Sequence, residues 1–279
     1  MRSVLMHISD LHAGRTFHPR VADQLAREAH DLRPDLLVIS GDLVQRADFV
    51  SQWEAIMQYL QRLPQPQLIV PGNHDIPLFH VVERFTRPLD RYQRYVSTNL
   101  NPVFERPGLV VVGGNSAHGL TIDGGYVSDE QQRIMAQIFA RYPDDVFCKI
   151  AVLHHGVVRP PGCEKRSIIR NDAEVTQMLE QSGVDVLLCG HHHVSYVGIA
   201  GNAKGFVVCQ SGTSASRRIR EGERGKNAYN VLTIEEASIH ISQRRYVETS
   251  RRFEPLGEYE FQRRGAWLTA HRRNSPQTL

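Results

Sequence analysis

Over the first 215 residues, short apolar runs alternate with amphipathic stretches. The runs at residues 4–8, 36–39, 68–70, 110–112, 150–153, 184–189 and 206–209 have the length and the bounding turns of buried strands. Between them, residues 20–32 place Val21, Leu25, Ala29 and Leu32 on one helical face, and residues 52–63 do the same with Trp53, Ile56, Met57, Leu60 and Leu63. Ser128 and Gln131 have capping-box spacing, with Asp129 and Glu130 in the first turn. They open a helix to about residue 141 that turns Ile134, Ile138 and Phe139 inward. Asp172 precedes a further helix ending near Gly183, which suits a left-handed C′ position. Strands alternating with helices predict an α/β architecture.

Past Asn230 the rhythm changes. Residues 231–234, 238–244 and 258–263 read as strands without helices between them, and 245–256 reads as a link. The expectation is one domain over residues 1–279, with a strand-rich C-terminal extension from about residue 231. Residues 76–95 mix aromatics with arginines and show no clean period, which fits either a cap over a pocket or packing between layers.

Composition narrows the class. Hydrophobic residues make up 41% and charged residues 23%, a globular balance that leaves out disorder. The apolar runs are too short to span a bilayer, so no membrane partner is expected. The N-terminal segment lacks the long apolar region of a signal peptide, so a cytoplasmic protein is expected. Cys148, Cys189 and Cys209 lie in apolar runs and Cys163 stands apart, without a CxxC pair, which argues for core thiols over disulfides or a zinc knuckle. A net charge of +3 is too small for a general nucleic-acid binder. The late arginine pairs are interrupted by Glu248, Glu254, Glu258 and Glu260, as in a solvated or subunit-contacting region. A homo-oligomer stays open, and nucleic acid is not an expected partner.

Candidate chemistry gathers at the carboxyl ends of five apolar runs. The first leads to Asp10 and His12, the second to Gly41 and Asp42, and the third to Gly72, Asn73, His74 and Asp75. Two later runs lead to His154-His155 and to Gly190-His191-His192-His193. In open α/β sheets, sites form beyond the carboxyl ends of strands, so these turns can converge. Carboxylate, imidazole and amide oxygen together suit manganese, iron, zinc or cobalt. Asp42, alone in its turn, can bridge two ions through its two oxygens. The i,i+2 spacing of Asp10 with His12, and of His191 with His193, aims both side chains one way if the chain is extended there. Gly41, Gly72 and Gly190 allow tight bends after each strand. Two divalent ions outweigh two carboxylates, so the cluster attracts a phosphate and can acidify bound water. Each block alone is weak, but five in order at strand ends are not expected by accident.

These blocks resemble the signature of the calcineurin-like metallophosphoesterase superfamily: D-x-H, G-D, G-N-H-[DE], H and G-H-x-H, over about residues 4–215. The resemblance implies an α/β fold, a four-layer αββα sandwich with two mixed β-sheets flanked by helices. It implies a pair of divalent or mixed-valence transition-metal ions. Asp10, His12, Asp42 and His193 would hold one, and Asp42, Asn73, His154 and His191 the other. It makes His74 the catalytic histidine, contacting phosphate together with Asn73, with Asp75 orienting its ring. The fourth block departs from the common H-x-P, reading His154-His155-Gly156-Val157, and His154 is assigned as the ligand. His192 is expected to point away from the metals, and His80 is a further residue of interest.

Ser211-Gly212-Thr213-Ser214 with Arg217, Arg218 and Arg220 can border the site and grip phosphate, or form a solvent-facing loop equally well. The resemblance is greatest to class III cyclic-nucleotide phosphodiesterases. It implies hydrolysis of a small phosphodiester, foremost a 3′,5′-cyclic nucleotide, by in-line attack of a metal-bridging hydroxide. A broad-specificity phosphodiesterase/phosphomonoesterase, a DNA exonuclease like the superfamily's repair nuclease and a non-catalytic scaffold like the retromer subunit are the alternatives.

Overall fold

Period-two burial along the strands organises the molecule. In β1 (Ser3–Ile8), Leu5 faces one apolar cluster while Met6 and Ile8 face another. In β2 (Leu36–Ile39), Val38 faces the first and Leu37 and Ile39 the second. A strand buried on both faces must lie in an interior layer. The computed structural model describes residues 2–201, 204–220, 222, 225–263 and 271–273.

The first sheet has seven strands. β1, β2 and β3 (Gln67–Ile69) run parallel, and β10 (Ala228–Ile234), β11 (Ser238–Val247), β12 (Arg252–Gln262) and β13 (His271–Arg273) add antiparallel beside β1. The second has six, ordered β4 (Val103–Arg106), β5 (Leu109–Gly113), β6 (Cys148–Val152), β7 (Val186–Cys189), β9 (Phe206–Gln210) and β8 (Tyr196–Ala200). Its four central strands are parallel, and β4 and β8 are antiparallel edges.

Helices α1 (Pro19–Leu32) and α2 (Val50–Leu60) cover the first sheet, and α5 (Asp129–Phe139) and α6 (Asp172–Gln181) cover the second. The order α-β-β-α is the four-layer sandwich expected, with one apolar cluster in each of its three interfaces. Ser128 caps α5 by accepting from Gln131 N, and Gly183 takes the left-handed conformation after α6.

Three differences from the sequence reading are local. β4 and β8 were not anticipated. The residues read as a link after 244 extend β11 to Val247 and begin β12 at Arg252. Residues 76–95 form two short helices, α3 (Val81–Thr86) and α4 (Asp90–Tyr95), with Tyr92 buried and donating to the Ile69 carbonyl. Most of the tail from residue 264 lies outside the described residues. The four cysteines are free and buried. No helix among the described residues is long and apolar enough to cross a membrane.

The parallel strands end in step. Ile8 pairs with Ile39 and Ile39 with Ile69 in one sheet, and Val152 pairs with Leu188 in the other. The turns that follow are therefore delivered side by side along one edge of the sandwich.

Away from that edge, Asp185 accepts from Lys149 N at 2.8 Å and lies 3.5 Å from Arg263 Nε. Burial pushes its carboxyl up to about 6, only partly offset by the Lys149 amide and the Arg263 charge. The folded chain thus holds this proton more tightly than the unfolded chain, whose value is about 3.9. The resulting stabilisation is full below the unfolded value and lost as pH rises through the folded one. Wild-type stability relative to Asp185→Asn should fall by about 2–3 kcal/mol from about pH 4 to about pH 7. Urea unfolding measures it, and a pH-independent difference would contradict the raised value.

Candidate metal centre and active site

The turn after β1 continues the parallel pairing: Asp10 N donates to the Gly41 carbonyl and His12 N to that of Asp42. Neither turn is extended. Asp10, His12, Asp42, His191 and His193 have φ of 55°, 49°, 54°, 74° and 60°, five of the seven non-glycine residues with positive φ among those described. This corrects the extended i,i+2 geometry expected for the two His-bearing pairs. Left-handed backbone curls each turn back on itself and points the side chains inward. Each such residue costs on the order of 1–2 kcal/mol, less for Asp than for most side chains.

Two glycines make the close approach possible. A Cβ at Gly72 would overlap the carboxylate and amide nitrogen of Asp42. One at Gly190 would overlap Ser9 Oγ and come 2.5 Å from Asp10 Oδ2.

The donor atoms form two groups. In the first, His12 Nε2 is 3.0 Å from His193 Nε2 and 3.7 Å from Asp10 Oδ1, and Asp10 Oδ1 is 3.2 Å from His193 Nε2. In the second, Asn73 Oδ1 is 3.1 Å from His154 Nε2 and 3.2 Å from His191 Nδ1. Asp42 faces both. Its Oδ2 is 3.6 Å from His12 Nε2, and its Oδ1 is 3.4 Å from His154 Nε2.

Neighbouring hydrogen bonds fix which ring nitrogens face inward. His193 Nδ1 donates to the Arg218 carbonyl at 2.6 Å and His154 Nδ1 to the Ser40 carbonyl at 2.7 Å, which leaves each Nε2 toward the cluster. Asn73 Nδ2 donates to the Ile122 carbonyl, so its Oδ1 is the atom presented.

This arrangement fits a cation. Carboxylate, amide and imidazole ligand atoms converge, and Asp10 Oδ1 is buried with no hydrogen-bond partner. Donors bonded at about 2.0–2.2 Å to one ion lie about 3.0–3.5 Å apart, close to the separations seen here. Burial raises the Asp42 carboxyl, but His154, His74 and His12 hold it well below the usual carboxylate range, and Asp10 is held low in the same way by His193 and His12. Burial pushes His12 down to about 3 and lowers His191 well below its usual value, so both are neutral donors. His154 differs: burial pushes it down, but the facing Asp42 carboxylate outweighs this and raises it to about 9. A metal ion between the two would replace that proton.

His74 stands beside the first group, its ring 4.8 Å from that of His12. Its Nδ1 donates to the Gln45 carbonyl at 2.8 Å, and Arg218 Nη1 donates to its Nε2 at 2.8 Å. Arg46 shares the Gln45 carbonyl at 2.8 Å. Burial lowers the His74 imidazole, reinforced by Arg218 and Arg46 against the Asp42 charge.

Asp75 does not orient that ring, a correction to the sequence reading. Its Oδ1 accepts from Leu43 N and Val44 N, and its Oδ2 from Gly72 N at 2.8 Å. The reason is the 3-10 turn Asn73–Asp75, which carries the carboxylate back to its own N-cap and across to the Asp42 turn. Burial, followed by the Asp42 charge, raises this carboxyl to about 7.

His155 is also brought to the second group: its Nδ1 contacts Ser116 Oγ, and its buried Nε2 has no partner. His192 turns away as expected, with Nδ1 3.1 Å from Gln210 Oε1 and Nε2 2.9 Å from the Ser167 carbonyl. His80 is exposed at the N-cap of α3.

Some supporting groups escaped the sequence reading. Gln45, Ser40 and Ile122 act through backbone carbonyls, which leave no side-chain signature. Arg84 is buried in α3 and donates to the Pro77 and Thr121 carbonyls, tying residues 76–95 to the loop that fixes Asn73. A lone arginine in an aperiodic segment gave no signal for this.

The sequence matches the Calcineurin-like phosphoesterase family over residues 3–195, and the chain belongs to that family. A probable cyclic nucleotide phosphodiesterase of Synechococcus sp. is 26% identical over 170 residues, 59% of this chain and 60% of that protein, less than two thirds of the relative's length. A purple acid phosphatase from yellow lupin (Lupinus luteus) seeds superposes with a TM-score of 0.71 at 12% identity, covering 93% of this chain and 53% of that one. A dimetal phosphatase from Danio rerio gives 0.63 at 14% identity, with coverage of 91% and 98%. At these identities the two structures speak for the fold alone. The family and the Asp/His cluster together point to a binuclear divalent metal centre.

Gly190→Ala should push Ser9 and Asp10 out of place and weaken divalent-metal affinity about tenfold or more. Titration with Mn²⁺ followed by elemental analysis measures this. Unchanged affinity would mean that the close approach at Gly190 is dispensable.

Proposed function

We propose that this chain hydrolyses a small phosphodiester, with a 3′,5′-cyclic nucleotide as the leading candidate. Asp10, His12, Asp42 and His193 hold one metal in this reading, and Asp42, Asn73, His154 and His191 hold the other. The observation that carries it is Asp42, whose two oxygens face two different sets of lone pairs. Manganese, iron, zinc and cobalt suit this donor set. When bound, such ions supply Lewis acidity toward phosphoryl oxygens and a lowered pKa for water.

The chain's own groups divide the remaining work. Asn73 and His74 contact the phosphoryl group. His74 keeps Nε2 toward the cleft because Nδ1 is committed to Gln45, placing it beside the oxygen that leaves phosphorus in an in-line displacement. Asp75 locks the Gly72 and Asp42 turns together, and so acts as a positioning residue. Arg218 reaches the same His74 nitrogen. The Synechococcus relative's description supports a cyclic nucleotide as substrate. The donor cluster also supports a second reading, broad action on diesters and monoesters. Four free cysteines suit a reducing compartment, and we place the protein in the cytoplasm.

His74→Ala should keep its metal and lose about 10²–10⁴-fold in turnover. Asp42→Ala should lose metal. Elemental analysis with assays on 3′,5′- and 2′,3′-cyclic nucleotides, phosphomonoesters and DNA tests both. Metal loss of the same size in both variants would remove His74 from its role, and a metal-replete protein inert on every ester would end the hydrolase reading.

A further inference from the structure

We propose that Arg166, Arg218 and Arg220 form an anion subsite beside the metal cluster that takes a second phosphoryl group, making a diphosphate-linked nucleotide the preferred substrate. This rests on the phosphoester hydrolysis proposed above, and within it ranks a diphosphate diester ahead of the cyclic nucleotide.

The three arginines line the same cleft as Asp42, Asn73 and His74. Elsewhere on the chain some arginines pair with carboxylates, as Arg91 does with Glu83 and Arg62 with Asp23. Among the described residues, no ion pair involves Arg166, Arg218 or Arg220. Arg220 Nε is buried without an acceptor. Burial lowers the pKa of that guanidinium, and the charges of Arg166 and Arg218 lower it further, a sign of like charges crowded together. Asp123 is the carboxylate at this mouth, and it lies 4.0 Å from His191 Nε2.

The backbone that carries these arginines is fixed. Arg218 N donates to Ser216 Oγ while its carbonyl accepts from His193, and Arg220 N donates to the Gly225 carbonyl. Arg166 N donates to the Cys163 carbonyl, and its own carbonyl accepts from Arg159 Nε. Guanidinium groups are forked donors matched to phosphate oxygens, and crowding among them is relieved by an anion.

A cyclic mononucleotide brings one negative charge, which the metal cluster answers by itself. A diphosphate diester brings two phosphoryl groups, one for the cluster and one for the arginines. In the reaction, the oxygen of water bonds to one phosphorus and the bond from that phosphorus to the bridging oxygen breaks. The electron pair leaves with the second phosphoryl group. Two phosphomonoesters result, and the two protons of water go to them or to solvent. The arginines stabilise the departing phosphomonoester, whereas an alkoxide leaving from a single phosphoryl group gains nothing from them.

The test compares metal-loaded wild type with Arg166→Gln/Arg220→Gln, after checking that metal content and thermal unfolding agree. Equilibrium dialysis should show adenosine 5′-diphosphate bound about tenfold or more tightly than adenosine 5′-monophosphate by wild type, and within about threefold by the variant. In parallel, kcat/KM on a nucleoside diphosphate sugar should fall about 10–100-fold in the variant, with less than about threefold change on bis(p-nitrophenyl) phosphate. Equal binding of the two nucleotides by wild type, or equal kinetic losses on both substrates, would overturn the subsite. If neither substrate turns over, the hydrolase reading fails and the dialysis still decides the subsite. Arg166→Gln alone, at an exposed position, serves if the double variant does not fold.

Discussion

Burying the Asp42 carboxylate between two sheets sets the terms for everything around it. An ionised carboxylate out of water is costly unless charges and donors of the right sign surround it. Here one oxygen receives the His74 amide at 2.8 Å, and His12 and His154 approach from different strands. The same demand shapes the turns, which adopt left-handed backbone to bring donors into range. Asp75 answers it from the other side. By gathering the Leu43, Val44 and Gly72 amides, it holds the Asp42 turn against the Asn73 turn without adding a ligand to the cluster.

The two sheets contribute unequally. Asp10, His12, Asp42 and Asn73 follow β1, β2 and β3 of the first sheet, and His154, His191 and His193 follow β6 and β7 of the second. Both carboxylates thus come from one sheet and the late imidazoles from the other. Electrostatic attraction across the seam adds to the apolar cluster between the sheets. The arginine-lined mouth belongs to loops outside both sheets, which tolerate change more readily than the strands that carry the cluster.

Much of this was legible in the sequence because the central strands are apolar on both faces and end in polar blocks. The runs at 4–8, 36–39 and 150–153 gave strands, and Asp10, Asp42 and His154 fall where those strands stop. β4 was not legible, because it is an edge strand whose residues alternate between exposed and half-buried. β8 is partly exposed and interrupted by Gly198. The left-handed turns were missed because Asp and His carry no glycine-like signal for positive φ. The Asp75 role failed for another reason: adjacency to His74 in sequence suggested a side-chain pair, whereas the 3-10 turn sends the carboxylate to backbone amides. Arg218 could be noticed but not placed, since its reach to His74 spans 144 residues of chain.

The distances along the chain between the groups that meet have a consequence for how the molecule assembles. Asp10 accepts from the amide of His191, and His12 touches His193, each pair 181 residues apart. Contacts of such span are slow to form, because a long stretch of chain must be ordered before they are made. The donor cluster therefore comes together only once both sheets have folded and docked. Anything that binds it selects the finished sandwich over every partly formed state. Metal ions would then raise the barrier to unfolding more than they speed folding, and the cluster would serve as a lock on kinetic lifetime.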